Sequence, residues 1–230
     1  GSVVLNGSGS FAYVPALNFN GTDSFTYKVN DGQLDSATAT VTIVVSSVND
    51  EPFLAPIGDQ SIQEGTALAV SASATDSDVG TTFTYSLSGA PPGMAINPGS
   101  GLISWPTTES DGPGTFTITV QANDGGVPAL TAVRSFTVTV TEIDTPPILA
   151  GVTSQVVDEG KTLNFNVSAT DVDLPPTALT FSLEPGAPDG ASINSSTGAF
   201  SWTPSEAQGP GVFLIGISVF DGVTRSFQNL

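Results

Sequence analysis

Apolar and polar residues alternate with a period of two along most of the chain. Phe116, Ile118, Val120 and Ala122 alternate with Thr115, Thr117, Thr119 and Gln121. Phe136, Val138 and Val140 alternate with Ser135, Thr137 and Thr139. Leu163, Phe165, Val167 and Ala169 keep the same spacing, as do Phe25, Tyr27 and Val29, and then Ala39, Val41, Ile43 and Val45. Successive side chains of a strand point to opposite faces, so this spacing packs one face and wets the other. Threonine suits the wet face because its β-branch fits a strand while its hydroxyl hydrates. No segment carries a helical period, and the chain reads as all-β.

The pattern repeats. Glu64-Gly65-Thr66 returns as Glu159-Gly160-Lys161, and Ala74-Thr75-Asp76-Ser77-Asp78 as Ala169-Thr170-Asp171-Val172-Asp173, both 95 positions on. Ser104-Trp105 returns as Ser201-Trp202, and Asn123-Asp124-Gly125 aligns with Phe220-Asp221-Gly222, both 97 positions on. Such a period makes each copy one structural unit. The middle copy is expected to hold seven strands, near 61–64, 67–75, 82–88, 94–97, 101–106, 115–123 and 131–141. Seven short strands in this length predict a two-sheet sandwich, with Trp105 and Trp202 in the cores. The expected modules are 1–48, 49–143 and 144–230. The first corresponds to the back half of a sandwich. The third is expected to lack most of its last strand, so the first and last modules are incomplete.

Composition narrows the chemistry. The chain has 230 residues, 4 Lys plus Arg, 22 Asp plus Glu and a net charge of -18, with no Cys and no His. Disulfides, thiolate or imidazole metal ligands and His-based catalytic triads are therefore excluded. Lys28, Arg134, Lys161 and Arg225 are scattered, so no nucleic-acid partner is expected. No apolar run reaches membrane-spanning length, so no direct membrane insertion is expected. An enzyme is not expected either. Paired aspartates are present, but they recur once per module, which argues for a structural role. Glu109, Asp111 and Glu206 lie in Gly/Pro-rich loops and read as solvated.

The other acids fall at the module joints. Val48-Asn49-Asp50-Glu51-Pro52 and Glu142-Ile143-Asp144-Thr145-Pro146-Pro147 are short acidic linkers stiffened by proline. Each precedes an Asp-x-Asp pair, Asp76 and Asp78 or Asp171 and Asp173, and a later Asp-Gly turn at Asp124 or Asp221. Loops at one pole of a sandwich bring these positions together. Converging carboxylates repel one another unless a cation sits among them. Ca²⁺ accepts irregular six-to-eight oxygen coordination best. Solvated turn acids explain the same residues, since Asp-Gly is a turn signal on its own. Both readings stand on the residues alone.

A resemblance bears on this choice. Asn20-Gly21-Thr22-Asp23-Ser24-Phe25-Thr26-Tyr27, with Asn30-Asp31-Gly32 and Val48-Asn49-Asp50-Glu51-Pro52, resembles the bacterial cadherin-like repeat. Gly89-Ala90-Pro91-Pro92-Gly93-Met94, Gly101-Leu102-Ile103-Ser104-Trp105-Pro106-Thr107 and Ala122-Asn123-Asp124-Gly125 resemble the dystroglycan-type cadherin and Ig-like modules of large surface or secreted proteins. The resemblance implies tandem Ig/cadherin-like seven-stranded β-sandwiches with Ca²⁺ at the joints. It implies Glu64, Asp144, Asp171, Asp173, Asp221 and Glu142 as ligands at the second joint. At the first joint it implies Asn49, Asp50, Asp76, Asp78 and Asp124. The family's first linker aspartate falls on Ser47 or Thr141, its linker asparagine becomes Ile143 at the second joint, and its mid-module Asp-Arg-Glu is absent. Fewer ions per joint than in animal cadherins are therefore expected.

The function implied is a calcium-rigidified spacer in an extracellular bacterial adhesin, stalk or surface layer. Its partners would be neighbouring modules of a longer chain, with homotypic or surface-protein contacts. Two alternatives are a glycan- or protein-binding module of a secreted protein and self-assembly by strand addition.

Overall fold

A computed structural model describes residues 1–230. It is all-β, without an α-helix, and no helix is long and apolar enough to cross a membrane. The first 48 residues form β1 (Ser2–Leu5), β2 (Phe11–Val14), β3 (Gly21–Tyr27) and β4 (Ala39–Val45). The next stretch holds β5 (Phe53–Leu54), β6 (Gln60–Gln63), β7 (Ala67–Ser71), β8 (Ala74–Thr75), β9 (Thr84–Ser88) and β10 (Ala95–Ile96). β11 (Leu102–Pro106), a 3-10 turn at Glu109–Asp111, β12 (Gly114–Asn123) and β13 (Thr131–Thr141) complete it. The last stretch runs through β14 (Ile148–Leu149), β15 (Leu163–Asn166), β16 (Ala169–Thr170), β17 (Thr180–Leu183) and β18 (Ser192–Ile193). It ends with β19 (Ala199–Trp202), a 3-10 turn at Glu206–Gln208, β20 (Gly216–Phe220) and β21 (Arg225–Asn229).

The sheets repeat as the sequence does. The orders β10-β11-β7 and β6-β13-β12-β9 are followed by β15-β19-β18 and β17-β20-β21, and the pair β5-β8 by β14-β16. The run at 67–75, expected as one strand, is two: β7 and β8 separate at Ala72 and Ser73, and β8 pairs with β5. Two-residue strands such as these are too short to show a period.

The fold clusters into two compact units. One comprises Gly1–Asp59, Ala69–Ser104 and Thr117–Thr137. It contains the antiparallel hairpins β1-β2 and β3-β4, the β9-β12 pairing and the β10-β11 pairing. Phe11 meets Phe25 edge-on at 5.1 Å, and the Tyr13 hydroxyl donates to Asp23 Oδ2 at 2.6 Å, joining β2 to β3. Leu54, Tyr85, Ile103, Val120 and Ala122 are buried.

The other unit comprises Gln60–Leu68, Trp105–Phe116 and Val138–Leu230. Here β6 runs parallel to β13, with Val138 opposite Gln60 and Thr141 opposite Gln63. Val167, Phe181, Phe200, Trp202, Ile215, Ile217 and Val219 form one buried cluster. The alternation on β19, with Phe200 and Trp202 buried, is the packed face that the period-two pattern requires. Trp105 meets Phe116 edge-on at 5.0 Å, and Trp202 meets Phe213 in the same way at 5.0 Å. Each copy thus builds one aromatic pair from equivalent positions.

Gly198 shows how closely the backbone is packed. Its φ is +69°, it accepts a hydrogen bond from the Val167 N–H at 2.9 Å, and a Cβ there would collide with the Val167 carbonyl oxygen. Gly101 holds the same place against Ala72 in the preceding copy, with φ +70°. Left-handed backbone costs a residue with a Cβ roughly 1–2 kcal/mol before any collision. Gly198→Ala is expected to lower the thermal midpoint, measured by circular dichroism. An unchanged midpoint would contradict this account of the turn.

Candidate functional site

The linker Glu142–Asp144 leaves the end of β13 and enters a crowd of carboxylates. Glu64 follows β6, and its backbone N–H donates to the Thr141 carbonyl at 3.0 Å, continuing the β6-β13 ladder. That pairing places Glu64 beside the linker. Its Oε1 accepts the Ile143 N–H at 2.9 Å. Glu64 is 4% exposed, and its Oε2 is buried with no hydrogen-bond partner. Carboxylate oxygens of Glu64, Glu109 and Glu142 lie within 4.8 Å of one another. Burial, the facing Glu64 carboxyl, then Glu109 and Asp173 push the Glu142 carboxyl up to about 7. Both Glu142 oxygens are buried without a partner, as are Asp144 Oδ2 and Asp171 Oδ2.

The Asp-x-Asp loop faces the same linker. Asp171 Oδ1 accepts the Asp173 N–H at 3.1 Å, and the Asp173 carboxylate accepts the Thr145 N–H at 3.0 and 3.1 Å. Asp221 is buried, but its own turn serves it. Oδ1 accepts the Val223 and Thr224 N–H groups at 2.6 and 2.7 Å, and Oδ2 accepts the Thr224 hydroxyl at 2.8 Å. Burial pushes Asp221 up, yet these donors outweigh it and hold the carboxyl below its usual range.

Glu109 corrects the expectation that it is merely solvated. It opens the 3-10 turn after β11, is half-buried, and belongs to the Glu64–Glu142 group. Its Oε1 also accepts the Leu174 N–H at 3.1 Å, so this turn is fastened to the Asp-x-Asp loop. Asp111 departs from the same expectation: it accepts the Thr108 N–H at 2.8 Å and caps the turn. Glu206 is exposed. No local pattern singled out Glu109, because Glu64 and Glu142 lie far from it along the chain and only the fold brings the three together.

The first joint lies wholly in the other unit. Asp78 Oδ2 accepts the Asp50 N–H at 2.9 Å, and Asp76 Oδ1 accepts the Asp78 N–H at 2.9 Å. Asn49 Nδ2 donates to Asp124 Oδ2 at 2.7 Å and to the Pro128 carbonyl at 3.0 Å. Asp124 Oδ1 accepts the Gly126 and Leu130 N–H groups at 2.8 and 3.0 Å. Burial raises the Asp124 carboxyl, and these N–H groups together with the Asn49 amide outweigh it and leave the net shift downward. Asp50 enters this network through its backbone.

The model of the family described as "Putative Ig domain" matches residues 51–141 and again 146–229, most of the chain. This chain belongs to that Ig-domain family. A "Bacterial Ig domain" model matches residues 1–44 in front of the two tandem Ig domains. Mouse Protocadherin Fat 4 is 28% identical over 158 residues, which is 63% of this chain and 3% of that protein's length. The likeness therefore concerns a small part of that relative. Among solved structures, human CDH23 EC21-23 superposes with a TM-score of 0.62 at 21% identity, covering 99% of this chain and 79% of that one. Mouse Cadherin-23 EC22-24 gives a TM-score of 0.60 at 20% identity, with the same coverage. At these identities the likeness shows the fold. The Ig domains of this chain thus share the cadherin-like sandwich.

Proposed function

We propose that this chain is an extracellular spacer whose two tandem Ig domains are rigidified by Ca²⁺ at the joint between them. The observation that carries this reading is Glu64: a buried carboxylate with an unpartnered oxygen, set against Glu109 and Glu142 with no cation from the protein. A buried charge without a counter-charge is costly. Five buried oxygens on Glu64, Glu142, Asp144 and Asp171 lack partners here, and all are hard carboxylate donors. That donor set suits Ca²⁺ over softer metals. Glu64, Glu109 and Glu142 would hold the ion from the upstream side, and Asp144 and Asp171 from the linker and the following domain. The bound ion supplies positive charge, and the protein supplies the scaffold that keeps these groups together. The Ig-domain matches at 51–141 and 146–229 support reading this cluster as lying at a joint.

A bacterial adhesin, stalk or surface layer is the setting proposed, with neighbouring modules as the partners. The glycan-binding alternative gains no platform from tryptophan, since Trp105 and Trp202 are both buried. The test is thermal unfolding of the full chain in calcium and in excess chelator. Calcium at 100 times its dissociation constant stabilises the native state by about 2.7 kcal/mol. A higher midpoint in calcium is expected. Equal midpoints, with no metal bound at equilibrium dialysis, would overturn the reading.

A further inference from the structure

Asn49 and Asp144 occupy equivalent places. They are 95 positions apart, like Asp76 and Asp171, and the N–H of the next residue donates to Asp78 in one copy and to Asp173 in the other. The side chains differ in chemistry. Asp144 presents a carboxylate whose Oδ2 is buried and unpartnered. Asn49 presents an amide nitrogen to Asp124 Oδ2 and to the Pro128 carbonyl. A carboxylate and a carbonyl only accept, so the donor end of the amide must face them.

The surroundings are built for this amide. A Cβ at Gly126 would collide with the Asn49 side chain, so the glycine leaves the amide its room. The turns after the two aspartates also differ. In the last domain Thr224 supplies a hydroxyl to Asp221 Oδ2, so that turn satisfies its own aspartate. Asp124 takes its equivalent donor from the linker instead. One buried oxygen, Asp76 Oδ2, lacks a partner at the first joint, against five at the second.

We infer that Asn49 stands in for a cation: its amide closes the first joint without metal, and calcium loads the second joint alone. The claim about the second joint rests on the calcium reading above, whereas the amide clamp does not. An N–H bond to a buried carboxylate is among the stronger neutral-donor contacts, and losing it leaves Asp124 short of a partner.

Two arms test this on the full chain, with calcium itself as the probe. In excess chelator, Asn49→Asp removes the donor and places a second carboxylate against Asp124. Its thermal midpoint is expected to fall by about 2–4 °C or more, and an unchanged midpoint overturns the clamp. In calorimetric titration, the double variant Glu64→Gln/Asp171→Asn is expected to lose all calcium binding. Retention of an ion that is then lost on adding Asp76→Asn overturns the inference, because the first joint would be the one loaded. The second arm does not depend on Asn49→Asp folding. A parent chain that binds no calcium overturns the calcium reading and the loading of the second joint together. Two ions in the parent, one lost at each joint, overturn only the inference.

Discussion

Trp105→Ala is expected to cost about 3–5 kcal/mol of unfolding free energy, the range for truncating a buried tryptophan. Trp105 is fully buried and stacks edge-on against Phe116, so deletion removes the ring from a close-packed site and leaves a cavity. Trp202→Ala is expected at the low end of that range. Trp202 is 6% exposed and borders an open cleft lined by Val157, Leu163 and Phe213, which lets the site relax or hydrate. Urea unfolding of the two variants reads the difference directly. A loss below about 1 kcal/mol for Trp105→Ala, the size of an ordinary surface change, would contradict its place in the core.

Glu64→Gln is expected to act with opposite signs in the two metal states. In chelator it removes one of three crowded carboxylates and supplies an N–H donor beside Glu142, so the metal-free chain should gain stability. In saturating calcium it removes a ligand, and the calcium-dependent increment, about 2.7 kcal/mol at 100 times the dissociation constant, should shrink or vanish. Relief of like charge should also return the Glu142 carboxyl from about 7 toward the usual range. Midpoints measured in calcium and in chelator, parent beside variant, read both effects. If Glu64→Gln were destabilising by the same amount in both states, Glu64 would be a structural hydrogen-bond acceptor for Ile143 and no ligand.

Much of the fold was legible in the chain because strand periodicity is a local property. The alternation at Phe116–Ala122 and Phe136–Val140 marks β12 and β13, and the repeat carries the reading from one domain to the next. The tryptophan cores were legible for the same reason: Trp105 and Trp202 fall on the packed face of an alternating strand. The two-residue pairs β5-β8 and β14-β16 were not, since two residues hold no period and their partners lie about 20 positions away. The acidic linkers and Asp-x-Asp loops were visible as composition and spacing.

What the sequence by itself determined is therefore the all-β class, the repeat, the buried faces and the spacing of the acids along the chain. Only the tertiary structure decided which acids meet. Glu109 lies far along the chain from both Glu64 and Glu142, and the fold brings the three together. It also decided that Asn49 acts as a donor, and that Asp221 is satisfied by its own turn while Asp124 draws on the linker. The physical reason is range: alternation is written between adjacent residues, whereas the partner of a buried carboxylate depends on loop paths and close packing that no local pattern records.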